Sequence, residues 1–167
     1  TEVLKRFMPK RATSSFVASA GLWSVLAFSL NLAWEIAHVR LYTLWAEADG
    51  LGVAWALFHC TLGDVLIALG AFLLASIVLG RIDWPVSRHR AGGILVVAST
   101  MGYTSWSEWY NVYRAGSWRY TELMPTVFDI GLSPLLQWLI LPIVMVIAYR
   151  RICKKILSST QCIDRSG

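Results

Sequence analysis

Six ionisable side chains interrupt stretches of this sequence that are otherwise apolar. They are four carboxylates and two histidines: Glu35, His38, His59, Asp64, Glu108 and Asp129. Ionisable groups in lipid cost about 2.5 to 3.5 kcal/mol each on insertion scales, so they usually face a partner, a cavity or a functional site. Imidazole and carboxyl groups that share one site can act as general base and general acid. We therefore predict Glu35, His59, Asp64 and Glu108 as catalytic residues.

The spacing of Glu35 and His38 also fits a metal site. Residues three apart lie on one face of a helix, and this carboxylate–imidazole pattern recurs in the metal sites of helical bundles. The predicted ligands are Glu35, His38, His59 and Asp64, and such a set without thiolates suits a divalent metal, namely zinc, iron or manganese. Two alternatives stay open: proton transfer without a metal, and a structural role in which these groups only hydrogen-bond one another.

Polar residues recur at steps of three or four, which predicts that three helices each carry a polar face. The predicted faces are Asn31, Glu35, His38 and Tyr42 in the first helix, Thr104, Glu108 and Asn111 in the third, and Asp129, Ser133 and Gln137 in the fourth. In the second helix His59 and Asp64 are five residues apart, which turns them about 140° from each other. Only a wide cavity could receive both.

A second group of residues is predicted to bind substrate at the mouth of the site. Arg114 and Arg119 could hold a phosphate or carboxylate headgroup through bidentate hydrogen bonds. The other predicted binding residues are Asn31, Trp34, Asn111, Trp118, Tyr120 and Asp129. The segment 114–125 is too polar to span a membrane but rich in aromatic residues, so we expect a loop that folds back over the helices.

The segments that position these residues are apolar enough to cross a bilayer. Of the 167 residues, 56% are hydrophobic and only 15% are charged, which is not the balance of a soluble domain. Four charge-free stretches approach or exceed the roughly 18 to 20 residues of a span once mildly polar flanks are added. We predict an all-α polytopic membrane protein, a four-helix antiparallel transmembrane bundle in a single domain, 1–167, with helices at about 16–45, 53–80, 91–113 and 126–149.

The basic residues indicate the orientation of the chain. The net charge is +5, but Lys and Arg gather at segment ends and form no single patch, so we expect no nucleic-acid partner. Most lie before the first predicted helix, between the second and third, and after the fourth. The positive-inside rule then places both tails, 1–15 and 150–167, in the cytoplasm and the ionisable groups toward the opposite side.

Four short strings carry a resemblance to known proteins. They are Asn31-Leu32-Ala33-Trp34-Glu35, His59-Cys60-Thr61-Leu62-Gly63-Asp64, Ser107-Glu108-Trp109 and Gly116-Ser117-Trp118-Arg119-Tyr120. They resemble strings of small multi-pass inner-membrane proteins of bacteria, a group that has no assigned function. The resemblance implies a bacterial plasma membrane, the inner membrane, and transfers no activity.

These observations favour a small intramembrane enzyme with a His/carboxylate site that opens to the periplasmic side and acts on a lipid-like or isoprenoid amphiphile. One alternative is a transporter or channel for ions, metals or protons, although the inner halves of the helices offer few polar groups for a path. The other is an accessory subunit of a larger membrane complex. The expected partners are the lipid bilayer and the amphiphile, and a homo-oligomer is left open.

Overall fold

A computed structural model describes residues 10–164, with side chains from 16 to 156. In chain order its elements are α1 (Lys10–His38), a 3-10 turn (Val39–Leu41), α2 (Leu44–Glu47), α3 (Gly50–Leu79), α4 (Trp84–Ser87), α5 (His89–Tyr110), a π-helical turn (Asn111–Ala115), β1 (Thr126–Val127), β2 (Ile130–Gly131) and α6 (Leu132–Asp164). The four long helices form a ring, because α1 packs against α3 and α6, and α5 packs against the same two helices.

Three of the long helices are long and apolar enough to cross a membrane. The candidate spans within the described residues are Phe16–Leu41, Gly50–Leu79 and Leu132–Ile156. The helix α5 is not among them, since its sequence carries Ser and Thr at many positions as well as Glu108. The chain is therefore an all-α membrane protein.

Local sequence signals set the ends of α3. Its N-cap is Asp49, whose Oδ1 accepts a hydrogen bond of 2.7 Å from the backbone N–H of Gly52 and so satisfies one of the unpaired donors of the first turn. At the other end Gly80 adopts a left-handed conformation with φ of 67°, which glycine reaches without steric cost. A side-chain N-cap and a left-handed glycine thus bound a helix of 30 residues.

The first helix ends earlier than the predicted 16–45, at His38. Beyond it the chain pairs with a distant segment: Thr43 N–H donates to Arg119 O at 3.0 Å and Thr121 N–H donates to Leu41 O at 2.9 Å. We call these two segments, 41–43 and 119–121, the clasp. The clasp gives the backbone at Leu41 and Thr43 partners outside a helix, and it folds the loop 114–125 back onto the helices as expected.

The last helix begins at Leu132, whereas the prediction placed it at 126–149. Residues 126–131 form a hairpin in which β1 and β2 are antiparallel. Its two-residue turn has positive φ at Phe128 and Asp129, 51° and 63°, which is the signature of a type I′ turn. The helix then continues to Asp164, so most of the predicted tail 150–167 is helical, while the predicted tail 1–15 lies mostly outside the described residues.

Aromatic side chains fill the space between the four long helices at the end far from the clasp. Trp23 sits 5.4 Å from both Phe72 and Trp84 and 6.2 Å from Tyr149, measured between ring centroids. Trp23 Nε1 donates to Ala68 O at 3.0 Å and Trp84 Nε1 donates to Phe72 O at 3.3 Å, so both buried indoles are satisfied. These four rings are the aromatic core.

Candidate functional site

Buried amide side chains connect three of the long helices. Gln137 on α6 donates through Nε2 to Asn31 Oδ1 on α1 at 2.8 Å and to Asp64 Oδ2 on α3 at 2.9 Å. Asn31 in turn donates to Ala27 O at 2.8 Å. Gln137 is 2% exposed and Asn31 is fully buried. The polar faces of α1 and α6 therefore meet, and Asp64 joins them from α3.

Beside these amides, an imidazole lies between a carboxylate and a hydroxyl and contacts both. Glu35 Oε1 lies 3.1 Å from His38 Nε2, one helical turn along α1. The other ring nitrogen, Nδ1, lies 2.8 Å from Ser133 Oγ on α6. His38 is 6% exposed and Ser133 is half-buried. The three side chains form a continuous relay from a carboxylate to a hydroxyl.

The carboxyl group of Asp64 lies beside that of Glu35. Asp64 Oδ2 also accepts from Gln137 Nε2, so the buried amides and the relay meet at this carboxyl group. A carboxylate has only acceptor atoms, so the contact between Glu35 and His38 requires a hydrogen on Nε2 of the imidazole. This pattern leaves His38 Nδ1 as an acceptor that faces the Ser133 hydroxyl, and we call Asn31, Glu35, His38, Asp64, Ser133 and Gln137 the polar cluster.

A second set of hydrogen bonds surrounds Glu108 on α5. Its Oε2 accepts from Tyr120 OH at 2.5 Å and from Trp118 Nε1 at 3.4 Å, and the same phenol oxygen accepts from Gly131 N–H at 3.0 Å. Glu108 is 7% exposed. The loop that closes over the helices thus delivers two donors to a buried carboxyl group.

Aromatic rings in edge-to-face and tilted contact join the two sets. The Tyr42 ring lies 5.4 Å from the His38 ring and 5.6 Å from the Tyr120 ring, between centroids. Burial raises the pKa of both phenols above the ordinary value, and the neighbouring Glu108 raises each pKa further. Both tyrosines therefore keep their protons at neutral pH, and Tyr120 donates its hydroxyl proton to Glu108.

Some buried polar atoms have no partner within the described part of the chain. They are Trp34 Nε1, Thr104 Oγ1 and, toward the other end of α6, Arg150 Nε. An unsatisfied buried donor costs about 1 to 3 kcal/mol. Thr104 is 5% exposed and precedes Glu108 by one turn of α5, so an unused hydrogen-bonding atom lies next to the second set.

A groove of about 470 Å³ runs between α3 and α5. Its lining includes Gly63, Leu66, Gly70, Leu74, Thr100 and Tyr103, and none of Glu35, His38 and Ser133. Gly63 precedes Asp64 and Tyr103 precedes Thr104 in the chain. One end of this largely apolar groove therefore reaches the level of the polar residues.

Some predicted site residues lie together and others do not. Asn31, Glu35, His38 and Asp64 belong to the polar cluster, and Glu108, Trp118 and Tyr120 form the second set. His59 is exposed on the outside of α3, with its ring 6.2 Å from that of Trp55. The 140° angle from Asp64 explains this separation, because only one of the two residues can face inward.

The remaining predicted binding residues engage neighbours outside both sets. Arg114 lies over the Trp109 ring, with its guanidinium carbon 5.3 Å from the centroid, and Arg119 pairs with Glu47 at 3.0 Å. Asn111 donates to Ser107 O in its own helix at 2.9 Å. Asp129 is exposed in the hairpin turn, where its backbone oxygen accepts from Tyr113 OH at 2.6 Å.

The four predicted metal ligands do not assemble as predicted. Within the described residues no group of three or more His, Cys, Asp or Glu side chains is arranged to hold a metal ion. His59 faces away, and the other three are committed to hydrogen bonds with one another or with Ser133 and Gln137.

Three residues of the site were absent from the predicted site residues: Tyr42, Ser133 and Gln137. Each falls on a predicted polar face, at a step of four from another polar residue. The spacing was therefore a sufficient signal for their position, although neutral side chains give no hint of their role.

Comparison with known proteins adds no precedent for this arrangement. No protein-family model, no curated protein and no solved structure matches the chain.

Proposed function

We propose that this protein is an intramembrane enzyme of the bacterial plasma membrane that acts on an amphiphile with a lipid-like tail. The observation that carries the proposal is the relay from Glu35 through His38 to Ser133. A buried imidazole held between a carboxylate and a hydroxyl can remove a proton and return it. The Asn31, Asp64 and Gln137 side chains hold this relay in place.

We further propose that α5 is a fourth span. With 22 residues it is about 33 Å long at ~1.5 Å per residue, close to the roughly 30 Å of a hydrocarbon core. Its polar residues Thr100, Thr104 and Glu108 are buried against the other helices, so lipid would meet mainly its apolar side.

The proposed orientation places the polar cluster in the outer half of the membrane. The turn around α4 and the distal part of α6 contain most of the basic residues on the described chain, including Arg81, Arg88, Arg150 and Arg151. They lie at the end occupied by the aromatic core. Since cytoplasmic segments are enriched in Lys and Arg, that end and both termini would be cytoplasmic.

The aromatic core argues for an enzyme over a transporter. An ion or proton path needs polar groups or water across the whole membrane, whereas Trp23, Phe72 and Trp84 are fully buried and close-packed on the inner side of the polar cluster. A site that close-packed rings seal on one side suits chemistry on a molecule that enters from the other side or from the bilayer.

The groove between α3 and α5 supports a lipid-like tail. Its walls lie in the apolar part of both helices, and glycines at 63 and 70 keep it open. A hydrocarbon chain from the bilayer could lie there while a polar headgroup lies at the level of Asp64 and Thr104.

The proposal can be tested by mass spectrometry of defined lipids. Purified protein would be reconstituted in liposomes that contain phospholipids, acylglycerols and polyisoprenyl phosphates, and we expect one class to be converted. His38→Gln should abolish conversion, because glutamine preserves bulk and hydrogen bonding but cannot cycle a proton. The matched control is His59→Gln, which changes the exposed histidine and should keep the activity. No conversion of any class, or equal activity in His38→Gln, would overturn the proposal.

A further inference from the structure

We propose that Ser133 is a nucleophile and that the reaction is acyl transfer from a lipid ester to water. The inference rests on the proposed function and names its reaction class. Among the described residues, Ser133 carries the only hydroxyl that forms a hydrogen bond with His38, and it is half-buried, so an ester could reach it.

The relay provides what a serine nucleophile requires. His38 Nδ1 is 2.8 Å from Ser133 Oγ, within reach for removal of the hydroxyl proton. Glu35, at 3.1 Å from Nε2, fixes the tautomer and stabilises the imidazolium that forms, as the third member of a serine–histidine–carboxylate triad does. Glu35 acts through His38 and is a positioning residue.

The start of α6 leaves one backbone donor available at the nucleophile. A helix has four N–H positions at its start without partners in the helix, and here they belong to Gly131, Leu132, Ser133 and Pro134. Gly131 N–H donates to Tyr120 OH and Leu132 N–H to Pro125 O, while proline has no N–H. The N–H of Ser133 remains, and no partner for it is found in the described chain.

A donor on the nucleophile's own residue is suited to an oxyanion. Backbone N–H groups that point at the developing negative charge stabilise tetrahedral intermediates of acyl transfer. The positive end of the α6 dipole acts in the same direction. Ser133 thus has a proton acceptor at its hydroxyl and an N–H donor on its own backbone.

The proposed reaction needs only the ester, water and the side chains of Ser133 and His38. Ser133 Oγ bonds to the ester carbonyl carbon while His38 Nδ1 takes the hydroxyl proton and the carbonyl oxygen becomes an oxyanion. Collapse breaks the ester C–O bond, and His38 returns the proton to the departing alcohol. Water then attacks the acyl group on Ser133 with His38 as base, and release of the carboxylic acid restores the serine hydroxyl.

A fluorophosphonate with a long alkyl chain tests the nucleophile without knowledge of the natural ester. Ser133 Oγ would displace fluoride from phosphorus, and peptide mass spectrometry would locate the adduct on the full-length protein in detergent. We expect one adduct, at Ser133, that Ser133→Ala abolishes. The matched control is Ser29→Ala, since Ser29 is an exposed serine bonded to its own helix at Val25 O.

Two further variants separate chemistry from folding. His38→Gln should keep the hydrogen bond to Ser133 but slow labelling at least 100-fold, as expected when a general base is lost. Glu35→Gln should slow labelling at least tenfold and change its pH profile. Thermal unfolding of each variant would show that the site is still formed.

Four outcomes decide between the two proposals. The inference is overturned if no adduct forms at Ser133, or if folded His38→Gln protein is labelled at the rate of the original protein. If Ser133→Ala still converts an amphiphile in a His38-dependent manner, the nucleophile is lost but the enzyme proposal stands. If neither labelling nor conversion occurs, both proposals fail.

Discussion

At the scale of single residues, the Tyr120 hydroxyl forms two hydrogen bonds, one as donor and one as acceptor. It donates to Glu108 Oε2 at 2.5 Å and accepts from Gly131 N–H at 3.0 Å. It therefore holds the loop, α5 and the start of α6 in register. Loss of this one oxygen would leave a buried carboxyl group short of a donor and a backbone N–H without its acceptor.

We predict that Tyr120→Phe lowers the free energy of unfolding by about 1 to 3 kcal/mol, the usual cost of unsatisfied buried groups. Denaturant titration in detergent, followed by tryptophan fluorescence, measures this change. Tyr110→Phe is the control, because Tyr110 is exposed and stacked on Trp106 at 5.6 Å. Equal losses in the two variants would show that the Tyr120 hydroxyl does not stabilise the fold.

At the scale of elements, contact between α4 and α5 depends on a glycine. A Cβ at Gly92 would overlap the ring of Trp84, which is fully buried in the aromatic core. At the adjacent Gly93 a Cβ would meet nothing within 4 Å. Neighbouring glycines of one helix thus differ in what surrounds them.

We predict opposite effects for alanine at these two positions. Gly92→Ala should destabilise the protein by about 1 to 3 kcal/mol, because an indole in a packed core cannot move aside cheaply. Gly93→Ala should be neutral or stabilising by up to about 1 kcal/mol, since alanine favours helix. Thermal unfolding monitored by circular dichroism compares them, and a stable Gly92→Ala variant would argue against tight packing of Trp84.

The groove between α3 and α5 gives a second prediction for the elements. Gly70 lines it, and a Cβ there meets nothing within 4 Å, so Gly70→Leu should fill the groove without strain. Conversion of a long-chain amphiphile should fall at least tenfold while a short-chain analogue is unaffected. Gly21→Leu is the control, since Gly21 has equally open surroundings on α1. Equal losses for both chain lengths would mean that the tail lies elsewhere.

The sequence alone predicts those features of the helices that depend on local spacing, and it does not predict those that depend on contacts with distant segments. Helical spacing placed Asn31, Glu35 and His38 on one inward face because the turn of a helix is constant. It could not decide whether His59 or Asp64 faces inward, since the rotation of α3 depends on its neighbours. The ends of α1 and α6 differed from expectation because the clasp and the hairpin turn at Phe128 and Asp129 use contacts that periodicity does not contain.

At the scale of the whole molecule, the proposed orientation places the turn around α4 and the loop 114–125 on opposite sides of the membrane. Ser87 is exposed in the first and Ser117 in the second. Both positions are suitable for single labels, because each is small and at the surface.

We predict that a cysteine at 117, but not one at 87, reacts with a membrane-impermeant maleimide in intact cells. The background variant would carry serine at the three native cysteines, Cys60, Cys153 and Cys162. After permeabilisation, both introduced cysteines should react. Labelling of Ser87→Cys alone in intact cells would invert the orientation, and labelling of both would place the two loops on the same side.

The clasp also has a consequence for the order of assembly. Thr121 and Leu41 are separated by 80 positions in the chain, and a ribosome adds about 5 to 20 residues each second. The backbone at 41–43 therefore remains without its partner for on the order of ten seconds, while α3 and α5 are synthesised. Nascent chains arrested before 119 should expose this backbone to hydrogen exchange, and full-length chains should protect it. Closure of the site would then be one of the last events in biogenesis, which delays any activity until the hairpin and the last helix have been synthesised.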